Sequence, residues 1–407
     1  MNEKKESYYE ILIKNEWSYT KAAVILAVLA TALMAFASPW GVTGVLSTWG
    51  GKFLGLFGLS LDGWLKRDLS KFNPLAKDTM INVGVAFGAF ISSLLAAQWK
   101  FRHIKSIRQV WAAIIGGLFM GIGSRIGPGC NIGAMFSGIP AFSLSGWVFF
   151  VFVFFGSIAG GKLLPWFIPP LSYTRRQEPK RLSPAQRSLR RKIQISLGVL
   201  FIAAWLVFAA ASGASAPAAG FIVFIGLGLG YTMQHSRFCF TSAFRDPTLT
   251  GGTKMTKALL VSLGIATIGF AGVHISRYGV DLSKLPENMG ALARPVGLHL
   301  VIGAFLFGIG AVLAGGCASG TLMRFGEGYL QSMLAFVTFV LGAIIGDGLY
   351  ANYIVKSAFL YSGKGVYLPA ALGGYGQAIL IQLLLLALLW ILADWWEKKK
   401  IACFGKD

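Results

Sequence analysis

Gly121-Ile-Gly-Ser-Arg-Ile-Gly-Pro-Gly-Cys130-Asn-Ile-Gly133 reads closely onto Gly308-Ile-Gly-Ala-Val-Leu-Ala-Gly-Gly-Cys317-Ala-Ser-Gly320, 187 residues further along the chain. Gly121, Ile122, Gly123, Gly129, Cys130 and Gly133 each meet an identical residue at that offset, and Gly116 meets Gly303. One matched position is a cysteine in a chain that holds four, so composition alone does not produce the coincidence. Both stretches sit in apolar runs. A run containing Gly127-Pro128-Gly129 cannot continue as a regular helix, because Pro removes a donor and Gly adds backbone freedom. Gly315-Gly316 interrupts the second run in the same way. Broken backbone at membrane depth is tolerated only where it is buried in protein or lines a polar path. The spacing therefore predicts a short helix after each cysteine, beginning at Asn131 and Ala318, with its amides and dipole turned toward the thiol.

The rest of the sequence places these runs in a bilayer. Charged residues are 13% of the 407, about half the ~25% of ordinary soluble domains, while 55% are hydrophobic and 52 are Gly. That balance excludes a cytosolic enzyme, a disordered chain and a disulfide-stapled secreted domain. The apolar runs are continuous rather than alternating, which excludes a porin-type barrel. A formal net charge of +21 suggests nucleic acid. The Lys and Arg, however, fall in short blocks between apolar segments, the pattern that orients membrane proteins. We expect no nucleic-acid partner.

About ten segments approach the ~20 residues that span a bilayer: 22–40, 79–98, 110–138, 144–163, 193–210, 220–240, 258–278, 296–326, 330–350 and 377–395, of which the third, sixth and eighth are interrupted. The Gly-rich stretch 43–60 is short and is expected in the interface or folded back on the bundle. Ten crossings put both termini on one side. Of the 37 basic residues, 25 fall on that side and ten on the other, which predicts cytoplasmic termini. Ala35-Phe36-Ala37 resembles a signal-peptidase site, but the preceding polar region is long and cleavage would leave an odd number of crossings. A Pro-rich basic segment, 164–192, divides the chain into a first membrane half, 1–163, with Cys130, and a second, 193–407, with Cys239 and Cys317. Five crossings separate the two cysteine repeats, so they run in opposite directions. The fold class is thus an all-α polytopic membrane protein built on an inverted repeat with half-length helices around central cysteines, where sites are expected near the midplane.

A third cysteine lies in Gln234-His-Ser-Arg-Phe-Cys239-Phe-Thr-Ser-Ala-Phe-Arg-Asp246, again where a Gly-rich helix gives way to polar residues. A cysteine in a span can be merely a small packing residue, and Cys403, in the tail, reads that way. The Gly-Cys register at Cys130 and Cys317 is not explained by packing. No Cys-x-x-Cys or His-x-x-x-His spacing is present and the four His are scattered, so neither metal nor cofactor is expected. Arg125 sits in a broken span, where it is costly unless it faces a wet cavity or an anion.

At its three cysteines the sequence resembles the YeeE/YedE family of sulfur-compound membrane transporters. The stretches that carry the resemblance are Ala314-Gly-Gly-Cys317-Ala-Ser-Gly320, the Gln234–Asp246 segment and Gly129-Cys130-Asn-Ile-Gly133. The likeness runs through most of the chain and is nearest the YedE branch, with the Cys130 half first. The resemblance implies a bacterial inner-membrane protein that takes up thiosulfate or a related sulfur or selenium anion along thiols lining a narrow path. Cys317 would be the constriction, Cys130 and Cys239 the flanking thiols, and a small cytosolic sulfur-carrier protein a partner. On these grounds the candidate pore residues are Cys317, Cys130, Cys239, Gly129, Gly133, Gly316, Gly320 and Arg125. A thiol is a soft, weak donor, and passage needs binding weak enough to release at each step. Two other readings stay open: a membrane sulfurtransferase with a persulfide on one cysteine, for which only His235 could serve as base, and a scaffold for a sulfur carrier.

Overall fold

The computed structural model describes residues 9–167, 183–215, 217–280, 293–361, 363 and 365–404. Among the described residues the chain is helical, with isolated bridges and no strand. The helices are α1 (Tyr19–Phe36), α2 (Leu46–Gly55), α3 (Asp62–Leu65), α4 (Lys77–Leu95), α5 (Ile107–Ile126), α6 (Leu144–Phe167), α7 (Pro184–Ser215), α8 (Pro217–Ser236), α9 (Phe240–Leu249), α10 (Lys254–Tyr278), α11 (Leu298–Leu313), α12 (Ala318–Gly326), α13 (Leu330–Leu349), α14 (Leu368–Leu372) and α15 (Tyr375–Phe404). A π-helical turn, Asn131–Phe136, follows α5.

Ten spans among the described residues are long and apolar enough to cross a membrane. They coincide with the ten apolar segments of the sequence. Three of them are interrupted by non-helical residues: Ile107–Phe136 joins α5 to the π-helical turn, Ala218–Leu249 joins α8 to α9, and Leu298–Gly326 joins α11 to α12. The 43–60 stretch makes no crossing of its own. Its helix α2 is ten residues long and lies against α13, where a Cβ on Gly50 would come within 2.6 Å of Val340 and Ile344. The middle of the basic segment, 168–182, lies outside the described residues, but its end is helical from Pro184. Ser183 and Gln186 form a capping box there: the Ser183 hydroxyl accepts from the Gln186 amide at 3.2 Å, and the Gln186 side chain accepts from the Ser183 amide at 3.1 Å.

Lipid gives helices no hydrophobic reason to associate, so close packing of small residues holds such bundles together. The centre of this one is α5, wedged between α11 and α13, with α6 on the far side of α11. The α5–α11 contact is antiparallel and nearly bare of side chains. A Cβ on Gly116 would lie 2.8 Å from the Gly310 carbonyl oxygen, and one on Gly123 would lie 2.6 Å from the Gly303 carbonyl oxygen. Gly303 and Gly310 are the residues that align with Gly116 and Gly123 at the 187-residue offset. Around this centre α4 packs on α8 and α1 on α10. Lys257 ties α10 to α15 through Asp394 (2.9 Å) and Glu397 (2.7 Å).

Candidate functional site

The two breaks are built alike. At the first, the Gly127 amide bonds the Gly123 carbonyl (2.9 Å), the Gly129 amide bonds the Ser124 carbonyl (2.8 Å) and the Ala134 amide bonds the Cys130 carbonyl (2.8 Å). At the second, the aligned bonds are Ala314 to Gly310 (2.9 Å), Gly316 to Ala311 (3.0 Å) and Thr321 to Cys317 (2.7 Å). The second is a Schellman ending, completed by the Gly315 amide on the Val312 carbonyl (3.1 Å), with Gly315 in the left-handed region at φ +83. Pro128 occupies the aligned position at the first break. Its ring holds φ negative and it has no amide, so the unusual torsion moves one residue on, to Gly129 at φ +143. The carbonyls at these aligned positions each accept from an arginine: Pro128 from Arg294, Gly315 from Arg324.

Gly129 and Gly316, grouped together on sequence, differ in the structure. A Cβ on Gly129 would lie 2.6 Å from the Ala134 Cβ and 2.9 Å from Arg294 Nη1. One on Gly316 would meet nothing closer than 3.4 Å, and its φ is not left-handed. The left-handed glycine of the second break is Gly315.

Each of Cys130, Cys239 and Cys317 is the residue before a short helix. Cys130 precedes the π-helical turn, Cys239 precedes α9 and Cys317 precedes α12. Cys130 and Cys317 are fully buried and Cys239 is 5% exposed. The thiols face the amides that follow them without closing formal cap hydrogen bonds. Cys130 faces Ile132, Gly133 and also Val42; Cys239 faces Ser242; Cys317 faces Gly320. Cys239 and Cys317 are brought together, thiol to thiol within hydrogen-bond reach. Gly320 lies under both: a Cβ there would sit 3.4 Å from the Cys239 Sγ and 3.6 Å from the Cys317 Sγ. The Cys317 Sγ is also 3.4 Å from the Ser319 hydroxyl, and the Arg324 charge acts on Cys239. Cys130 belongs to a different set of contacts, on the side of Arg294.

Beside Cys130 opens a polar cavity of about 280 Å3, lined among others by Lys77, Asp78, Arg125, Arg294, Gly129 and Gly133. Three cations and one carboxylate leave it positive. Burial, then the charge of Arg125, push the Arg294 guanidinium below its ordinary pKa. Arg125 does not stand alone. It pairs with Asp347 at 2.7 Å, and the other Asp347 oxygen takes the Ser47 hydroxyl at 2.7 Å and Arg67 at 3.5 Å. Gly133 borders the cavity opposite Gly41, at ordinary contact.

Arg294, Lys77 and Asp347 line or brace the cavity but are not among the residues the sequence singles out. Asp347 is a buried carboxylate inside a span, where an ionisable residue is a signal in itself, and Glu327 is buried in the turn between two spans. Glu327 holds Arg237 at 2.6 Å and the Gln234 amide at 3.0 Å, five residues before Cys239. Two polar side chains next to the cysteines are buried without a partner: both ends of the Asn131 amide and the Thr241 hydroxyl, each 1% exposed. Groups so placed are normally bonded. The His235 ring lies against Trp17 and Tyr231.

This architecture, a helical bundle of ten apolar spans, three of them broken at buried thiols, is that of a polytopic membrane protein. The profile of a family described as sulphur transport matches residues 1–159 and 235–403, and the chain belongs to that family. It is 33% identical over 391 residues to the probable transporter YedE of Escherichia coli K12, covering 94% of this chain and 93% of the relative. The probable transporter YedE of Salmonella typhimurium is 32% identical over the same length. The thiosulfate transporter TsuA of Escherichia coli K12 is 31% identical over 175 residues, 42% of this chain and 46% of the relative.

Proposed function

We propose that the protein takes up thiosulfate, or a related sulfur or selenium oxyanion, by passing it along Cys130, Cys317 and Cys239, and that it is not an enzyme. The observation that carries this reading is the arrangement of three buried thiols, each at the start of a short helix that interrupts a membrane span, with the cationic cavity beside the first. The aligned hydrogen bonds at the two breaks and the reciprocal, antiparallel glycine contact of α5 with α11 support an inverted repeat that puts these breaks back to back.

The anion first enters the cavity, where Arg294, Arg125 and Lys77 offset its charge and Asp78 keeps the hold from becoming a trap. Its next contact is the Cys130 thiol, flanked by the amides of Ile132 and Gly133, which offset part of its desolvation. The Asn131 side chain supplies a further donor. Cys317 and Cys239 then present two S–H donors over the gap left by Gly320. Thiols bind the soft sulfur end weakly, so each station releases its cargo to the next. Arg324, beyond the pair, draws the anion on. With the termini in the cytoplasm, the cavity opens outward and the Cys239–Arg324 side faces in, where a sulfur-carrier protein would receive the cargo. Uptake of radiolabelled thiosulfate, sulfite, selenite and sulfate into liposomes holding the purified protein tests the reading. Saturable uptake of thiosulfate or selenite and exclusion of sulfate supports it; equal leakage of all four refutes it.

A further inference from the structure

Two cavities outside the thiol path share one residue. The first is an apolar groove of about 490 Å3 on the lipid-facing side of the bundle, lined among others by Phe87, Phe90, Leu322, Phe325 and Phe336. The second, of about 460 Å3, is lined by Lys100, Arg102, Arg187, Arg190 and Arg191 and, among the described residues, by no carboxylate. Trp99 lines both. Its indole N–H donates to the Gly326 carbonyl at 3.0 Å, and its own carbonyl accepts from Gln194 at 2.9 Å and Arg190 at 3.2 Å. Trp99 is thus fixed at the seam between hydrocarbon and charge, the usual depth of tryptophan in a membrane protein. Arg187, Arg190 and Arg191 are exposed and share one face of the first turns of α7.

We infer that the groove and the basic pocket form one binding site for an anionic phospholipid, its acyl chain along the groove and its phosphate among the five cations. The groove belongs to membrane-spanning helices, where hydrocarbon is the solvent. The pocket has the charge that selects acidic headgroups, each surface Lys or Arg adding to the attraction. One groove wall is α12 (Leu322, Phe325, Gly326), the helix that starts after Cys317. A seated chain would brace that helix from the lipid side. The inference does not depend on which anion the thiols pass.

The test uses the full chain purified in detergent, with phosphatidylglycerol, phosphatidylcholine of the same chains, or inorganic phosphate. Retention is read by native mass spectrometry and stability by thermal unfolding. Phosphatidylglycerol should remain bound and raise the unfolding temperature, while phosphatidylcholine and phosphate should do neither. R187Q/R190Q/R191Q should weaken phosphatidylglycerol binding roughly 100-fold, as loss of three surface charges implies. Val83→Trp fills the groove and should weaken it about tenfold while leaving the charges intact; Ala86→Leu is the milder filling variant where the Trp variant does not fold. Equal retention of the two lipids overturns the proposal. So does protection by phosphate alone, which would mean a simple anion site. Unchanged binding in both filling variants overturns it too, and is what docking of an acidic protein on the charges would give.

Discussion

Gly129→Ala and Gly316→Ala place the same methyl group at aligned positions of the two breaks, and the structure separates them. At Gly129 the residue must hold φ +143 with its Cβ 2.6 Å from the Ala134 Cβ and 2.8 Å from the Ala134 amide nitrogen. The torsion costs on the order of 1–3 kcal/mol, and relieving the overlap costs roughly 1–3 kcal/mol more. Part of that cost is met by pushing the π-helical turn away from Cys130, which shifts the Ile132 and Gly133 amides off the path. At Gly316 a Cβ meets its nearest neighbour at 3.4 Å and φ is not left-handed, so the change costs about 0.5 kcal/mol or less. Uptake per folded molecule, with folded protein measured by size-exclusion chromatography, should fall at least about tenfold for Gly129→Ala, equivalent to 1.4 kcal/mol. It should stay within about twofold for Gly316→Ala. Equal effects at the two sites, or a harmless Gly129→Ala, would refute the assignment of strain.

Asp347→Asn leaves Arg125 and Arg67 facing a neutral amide; loss of one partner from a buried pair costs about 3–5 kcal/mol, so the unfolding temperature should drop clearly and Arg125→Gln in the same chain should restore part of it. Arg294→Gln removes a cation from the cavity and the clamp on the Pro128 carbonyl, and should raise the KM for thiosulfate roughly tenfold with a smaller change in maximal rate, read from initial uptake rates. A cysteine introduced at Ser183, ahead of α7, should resist a membrane-impermeant maleimide in intact cells and react once the cells are opened; labelling in intact cells would reverse the proposed orientation.

The number and placing of the spans were legible in the sequence because a bilayer imposes one length and one polarity on every crossing. Asn131 and Ala318 as helix starts were legible for a similar reason: Pro and Gly punctuate a helix whatever surrounds it. The position of the left-handed residue was not. Aligned glycines suggest equivalent torsions, but Pro128 displaces the torsion to Gly129 at one break while Gly315 keeps it at the other. Nor could the sequence pair Asp347 with Arg125, 222 residues apart, or place the Cys239 thiol against that of Cys317. Such contacts are made by the packing of α5, α8, α11 and α13, which hydropathy does not order.

The central claim is that the anion moves along the thiols. Radiolabelled thiosulfate uptake by Cys317→Ala, reconstituted beside the wild-type protein and corrected for folded molecules, tests it most directly. The substitution removes one S–H from the Cys239–Cys317 pair and leaves the backbone of the break unchanged. The account predicts a correctly inserted protein with uptake reduced to the level of empty liposomes. Wild-type uptake by that variant would contradict it.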